Sequence, residues 1–193
     1  EIAKIKYLNN VLKTKNNIVF VIRGNHDDPK YFNGNYDNKF IKLVSDYTVL
    51  QFNNLWNILC VGGATSIDRT NRKSYVFNKG RDWWKDELFV YNEDKIDELQ
   101  YKIDFVITHT SPHFAYPYVK KGLDYWINRD VHLNLDLTKE RENVTKLYER
   151  LLKNNHNIIN WYYGHFHNSH KFQYDNTNFT CLDINEILEI KIG

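Results

Sequence analysis

Ile18-Val19-Phe20-Val21-Ile22-Arg23-Gly24-Asn25-His26-Asp27-Asp28-Pro29 is the stretch on which the reading of this chain turns. Its first five residues are apolar and four of them are β-branched; the run then stops at a charged residue, a glycine and a polar cluster. An unbroken run of that length predicts a short strand buried on both faces, since a half-buried strand would alternate. The pattern recurs twice downstream. Phe105-Val106-Ile107 ends at Thr108-His109-Thr110-Ser111-Pro112, and residues 158–163 end at Gly164-His165-Phe166-His167. Helical patterns lie between. Residues 2–13 place Ile2, Ile5, Leu8 and Leu12 close to one face, and Asn92 reads as the N-cap of a helix with Ile96, Leu99 and Ile103 on one side. Thr138 reads as the cap of another, running to about Asn154, with Val144, Leu147, Leu151 and Leu152 as its stripe. Residues 47–52 and 59–61 predict two strands joined by a turn at Asn53-Asn54, the second ending at Gly62-Gly63; residues 172–192 hold two or three more. Strands separated by helices make this an α/β chain.

Composition narrows the class. With 193 residues the chain is read as one domain, 1–193. Lys and Arg number 26 against 24 Asp and Glu, which argues against a dedicated polyanion binder. The longest apolar runs are about five residues where a membrane span needs about 20, and no signal-peptide pattern opens the sequence, so a cytoplasmic protein without a membrane partner is expected. Cys60 and Cys181 sit in apolar stretches and read as two buried thiols. No Met occurs, and Glu1 falls inside a helical pattern, so residues before Glu1 are expected; heavy use of Asn, Ile, Lys and Tyr points to an AT-rich genome.

The three strand ends carry chemistry. In open α/β sheets, sites form beyond the carboxyl ends of the strands. Asn25, His26, His109, His165 and His167, far apart in sequence, would thus meet at one edge. Imidazoles with amide or carboxylate oxygens are the ligand set of Zn, Mn or Fe. His165 and His167 are two apart, and in extended chain both would point to one side and could serve two metals a few Å apart.

These residues carry a resemblance. Gly24-Asn25-His26-Asp27, Thr108-His109 and Gly164-His165-Phe166-His167 resemble the third, fourth and fifth motifs of the calcineurin-like metallophosphoesterases, over about residues 1 to 183. Residues 61–69, with Trp83-Trp84-Lys85-Asp86-Glu87 after them, resemble bacterial and phage members. The resemblance implies a two-sheet β-sandwich flanked by helices, a four-layer α/β/β/α arrangement. It implies two divalent ions, Asn25, His109 and His165 binding one and His167 the other. It makes His26 the group that contacts the phosphate and protonates the leaving oxygen, with Asp27 orienting its neighbours. A hydroxide bridging the metals would attack phosphorus. The family's opening Asp-x-His and Gly-Asp motifs are missing: the chain has no Gly-Asp pair, and Asp130-Val131-His132 comes after His109, out of order and off a clean strand. Those motifs belong on a strand–helix–strand unit of roughly 30 residues or more, so the domain is expected to be N-terminally incomplete here, with both motifs upstream of Glu1.

Other residues have a plain reading beside a sharper one. Arg69 and Arg72 are solvated loop arginines or phosphate clamps. Trp83, Trp84, Trp126 and Tyr116 are core aromatics or a stacking surface for a base. His113, His132, His156 and His170 read as surface or structural. Asn143-Val144-Thr145 and Asn178-Phe179-Thr180 match glycosylation acceptors without a secretory context. The expectation is a metal-dependent hydrolase of phosphoric esters, mono- or diester, with nucleic acid a partner only as substrate. The alternative is a non-catalytic interaction module on the same fold. Thr108-His109-Thr110 and the Gly-His-x-His string lean towards the phosphodiesterase-like branch.

Overall fold

The computed structural model describes residues 10–53, 55–74, 83–118 and 122–190. Eight strands form two sheets. The smaller pairs β1 (Val19–Ile22) with β2 (Ile41–Val44) in parallel. The larger runs β3-β4-β5-β6-β8-β7, with β3 (Thr48–Phe52), β4 (Trp56–Val61), β5 (Phe105–Thr108), β6 (Asn160–Tyr163), β7 (His170–Tyr174) and β8 (Thr177–Cys181). Its four middle strands are parallel, and antiparallel hairpin partners close both edges.

Period-two alternation sorts side chains into layers. On β4, β5 and β6, Ile58, Cys60, Phe105 and Tyr162 turn to one face, where they meet Val44 and Ile22 of the smaller sheet. Leu59, Val61, Val106, Trp161 and Tyr163 turn to the other, against the long helix and its neighbours. The outer face of the smaller sheet packs Ile41, Leu43, Val19 and Val21 against Leu12, Phe32 and Phe40. Leu12 lies in a helical stretch, residues 10–15; the rest of the helix expected over 2–13 falls outside the described residues. The order is helix, two-stranded sheet, six-stranded sheet, helix: the four-layer α/β/β/α sandwich that the sequence implies.

Among the described residues four helices join these strands: α1 (Arg69–Lys73), α2 (Glu93–Asp97), α3 (Leu123–Ile127) and α4 (Leu133–Lys153). Asn92 caps α2 as expected, its side chain accepting from the Lys95 N–H at 3.0 Å. The helix stops after five residues, and Ile103 reaches the core from the loop, its N–H donating to the buried His156. Thr138 does not cap α4. The helix begins at Leu133 because Leu133 and Leu137 extend its buried stripe by a turn and more, and the Thr138 hydroxyl donates to the Asn134 carbonyl. Strand β2 is absent from the sequence reading. Strand β1 departs from it too: Phe20 is 39% exposed, because among the described residues β1 pairs with β2 alone. Both cysteines are buried free thiols, pushed up to about 12 by that burial.

Candidate active site

Three strand ends supply the site. Asn25 follows β1, His109 follows β5, and His165 and His167 follow β6. The β5 and β6 ends are adjacent in one sheet, so only the β1 end has to be carried across. Arg23 does this. Its Nε and Nη2 donate to Asp46 at 3.0 and 2.7 Å, Nη1 donates to the Glu87 carbonyl at 2.9 Å and Nη2 to that of Leu88 at 3.0 Å. Asp46 also accepts from the Gly62 N–H, and the Arg23 carbonyl accepts from Gly63. A Cβ on Gly62 would sit 2.4 Å from the Arg23 Cγ, so that glycine is what lets the two loops touch. Gly24 serves the next contact: a Cβ there would lie 2.8 Å from the His109 ring.

The result is convergence on one oxygen. Asn25 Oδ1 lies 3.0 Å from His109 Nε2 and 3.3 Å from His165 Nδ1, and the two imidazoles meet edge to face with centroids 5.1 Å apart. The amide is oriented from its other side, because Nδ2 donates to Ser66 Oγ at 3.0 Å. Ser66 is fixed in turn by Glu87, which accepts its N–H, and by Arg72. Burial, helped by neighbouring histidines and by the Arg23 and Arg72 guanidinium groups, pushes protons off both imidazoles: His109 falls to about 4 and His165 well below the ordinary histidine range. Neutral imidazole is the ligand form.

His165 and His167 both have left-handed backbone, φ +70° and +49°. They therefore lie in a turn and not in extended chain, which corrects the spacing argument. Both still border one cavity of about 680 Å³, together with Asn25, His26 and His109. Such φ values are uncommon for residues other than glycine and gather at functional sites. His26 is exposed and touches Arg72 through both ring nitrogens, Nε2 at 2.8 Å. Partial desolvation of the ring against its neighbours, then the Arg72 guanidinium, lowers its proton affinity although its edge is open to solvent. Asp27 accepts the Gly24 N–H at 2.7 Å and so holds the turn.

Arg72 is buried and donates to the Asn25 carbonyl, while Arg69 is bound to Asp130 and Asp136. Asp130-Val131-His132 is thus occupied with that ion pair. Of the four aromatics singled out, Trp126 and Tyr116 border the cavity; Trp83 lies under the Lys73 ammonium. Sequence reasoning did not find Ser66, Glu87, Glu140 or Arg141. Ser66 and Glu87 lie in stretches that carry the resemblance but were given no role there, and Glu140 and Arg141 stand in no motif, so only the fold gives these residues meaning. Among the described residues no group of three or more His, Cys, Asp or Glu side chains stands ready to hold a metal. The donor set that does converge, two imidazoles and an amide oxygen, fits one borderline divalent ion. For a second ion only His167 presents itself among the described residues, and that set does not fit.

A family model described as calcineurin-like phosphoesterase matches residues 3–169. No curated protein and no solved structure matches the chain.

Proposed function

Because the chain belongs to the calcineurin-like phosphoesterases, we propose that it is a metal-dependent hydrolase of phosphoric esters, acting on mono- or diesters in the cytoplasm. The observation that carries this reading is the Asn25 oxygen held between His109 and His165 at the ends of three strands. Asn25, His109 and His165 would hold one divalent ion. An ion so held contributes Lewis-acid stabilisation of charge on a phosphoryl oxygen. His167 borders the same cavity and would ligate a second ion only together with ligands that this set lacks. His26, held from behind by the buried Arg72, faces the phosphate and delivers a proton to the leaving oxygen. Asp27 keeps the Gly24–His26 turn in place. The companion reading, an interaction module on this fold, draws on the absence of a carboxylate from the converging donor set.

One experiment separates the roles in the full gene product. His167→Ala is expected to lower metal stoichiometry and turnover together. His26→Ala is expected to keep the metal and cut turnover about 10²–10⁴-fold on an ester with a poor leaving group, and much less on a nitrophenyl ester that needs little protonation. Loss of metal in His26→Ala, or equal slowing of both esters, refutes the acid role. A full chain that binds no divalent ion supports the interaction module.

A further inference from the structure

Resting on the hydrolase reading of this site, we propose that Arg141 is a specificity residue that seats a second anionic group on the substrate, at the far end of the cavity from the histidines. The cavity wall is a continuous row of rings. His165 meets Phe166 at 5.2 Å between centroids, Phe166 meets Tyr116 at 5.3 Å, and the Arg141 guanidinium lies over the Tyr116 ring at 4.2 Å. Arg141 projects from α4 into the cavity lining, beside Trp126.

Its charge has no counterpart. Arg69, Arg72, Arg23 and Arg150 each hold a carboxylate, whereas Arg141 forms no ion pair among the described residues. Its Nε is buried without a hydrogen-bond partner. The neighbouring Glu140, which also lines the cavity, is bound to Thr65, accepting from its N–H and hydroxyl at 2.5 and 2.6 Å. A guanidinium charge on a cavity wall without a carboxylate partner favours an anion in that cavity. A guanidinium kept flat on an aromatic face presents its edge as a fork suited to a carboxylate or phosphate. Tyr116 therefore pre-orients the fork, and the rings between carry the flat or apolar body of the ester. The substrate class is a phosphate ester whose alcohol part is planar and bears its own anionic group.

Phenyl phosphate and 4-carboxyphenyl phosphate test this, differing only in that second charge. In the full chain the carboxylated ester is expected to bind about tenfold or more tightly by calorimetry, the range of a charge-assisted pair. In Arg141→Gln the ratio of the two affinities is expected to fall to about one, and in Arg141→Lys, which keeps the charge without the fork, to an intermediate value. Equal affinity in the unaltered protein, or a preference that survives Arg141→Gln, overturns the proposal. Turnover of both esters without a preference leaves the hydrolase reading standing and removes this one. Preference in binding without turnover of either does the reverse.

Discussion

In the six-stranded sheet, Leu59, Val61, Val106 and Trp161 are fully buried, while in the two-stranded sheet Phe20 stands 39% exposed on a run of equally apolar sequence. The difference is one of neighbours. β4, β5, β6 and β8 each have a strand on either side and a face against α4 or against the smaller sheet. β1 has β2 alone among the described residues. The same side chains are thus worth different amounts in the two places. The histidines of the site hang from the well-supported sheet and Asn25 and His26 from the other. What keeps the two halves in register is polar: the Arg23 bonds to Asp46, Glu87 and Leu88, and the Gly63–Arg23 backbone contact.

The largest effect expected from this contrast is in the core of the big sheet. Trp161 stacks on Phe179 at 5.7 Å and donates its indole N–H to Thr108 at 2.8 Å, so Trp161→Ala empties a large volume and leaves a hydroxyl without its donor. A loss of about 3–5 kcal/mol is expected. Phe20→Ala should cost only about 1 kcal/mol, because much of the ring is already in water. Denaturant midpoints of the two variants measure the contrast; equal losses would show that β1 is as well supported as β6.

The strands were legible wherever the apolar run was continuous, at β1, β5 and β6, because that signal is local, although at β1 the run is not buried on both faces. Strand β2 was not, since Lys42 and the polar residues around Ile41-Lys42-Leu43-Val44 break the run. The early start of α4 was hidden by Asp130 to Asp136, which resembles a loop but carries Leu133 and Leu137 inward. At the site, residues with motif spacing were readable: Asn25, His109 and His165 do meet. Arg69 shows the converse, because its partners Asp130 and Asp136 lie 61 and 67 positions away and no local signal points to them.

The second prediction sharpens the role of the seam between the sheets. In Gly24→Ala the new methyl would meet the His109 ring at 2.8 Å, and the ring can yield only by leaving Asn25. Overpacking of this kind costs about 1–3 kcal/mol. The diagnostic result is divalent-ion affinity: a marked fall with the fold retained by circular dichroism. If Gly24→Ala bound metal as the unaltered chain does, the approach of β1 to β5 would not be what assembles the donor set.

The smallest effect is one of pH and belongs to the side of the big sheet that faces α4. Glu140 is buried, and burial raises its carboxyl from the ordinary 4.5 to about 7, against the opposing bonds from Thr65 and the Arg141 charge. A carboxyl with a higher proton affinity folded than unfolded gives stability that is complete below about 4.5 and is lost as pH rises towards 7. The full span of that shift corresponds to about 3 kcal/mol at most. Glu140→Gln keeps an oxygen for the Thr65 N–H and hydroxyl but carries no charge at any pH. The difference in urea midpoint between variant and unaltered protein should therefore grow in favour of the variant from pH 4.5 to pH 8. Taking the difference cancels the histidines and the other carboxylates, which titrate in both proteins. A difference that stays flat across the window would mean that Glu140 is ionised in the fold throughout, with Arg141 as its counter-ion. That outcome would bear on Arg141 as well, whose unpaired state depends on Glu140 turning to Thr65.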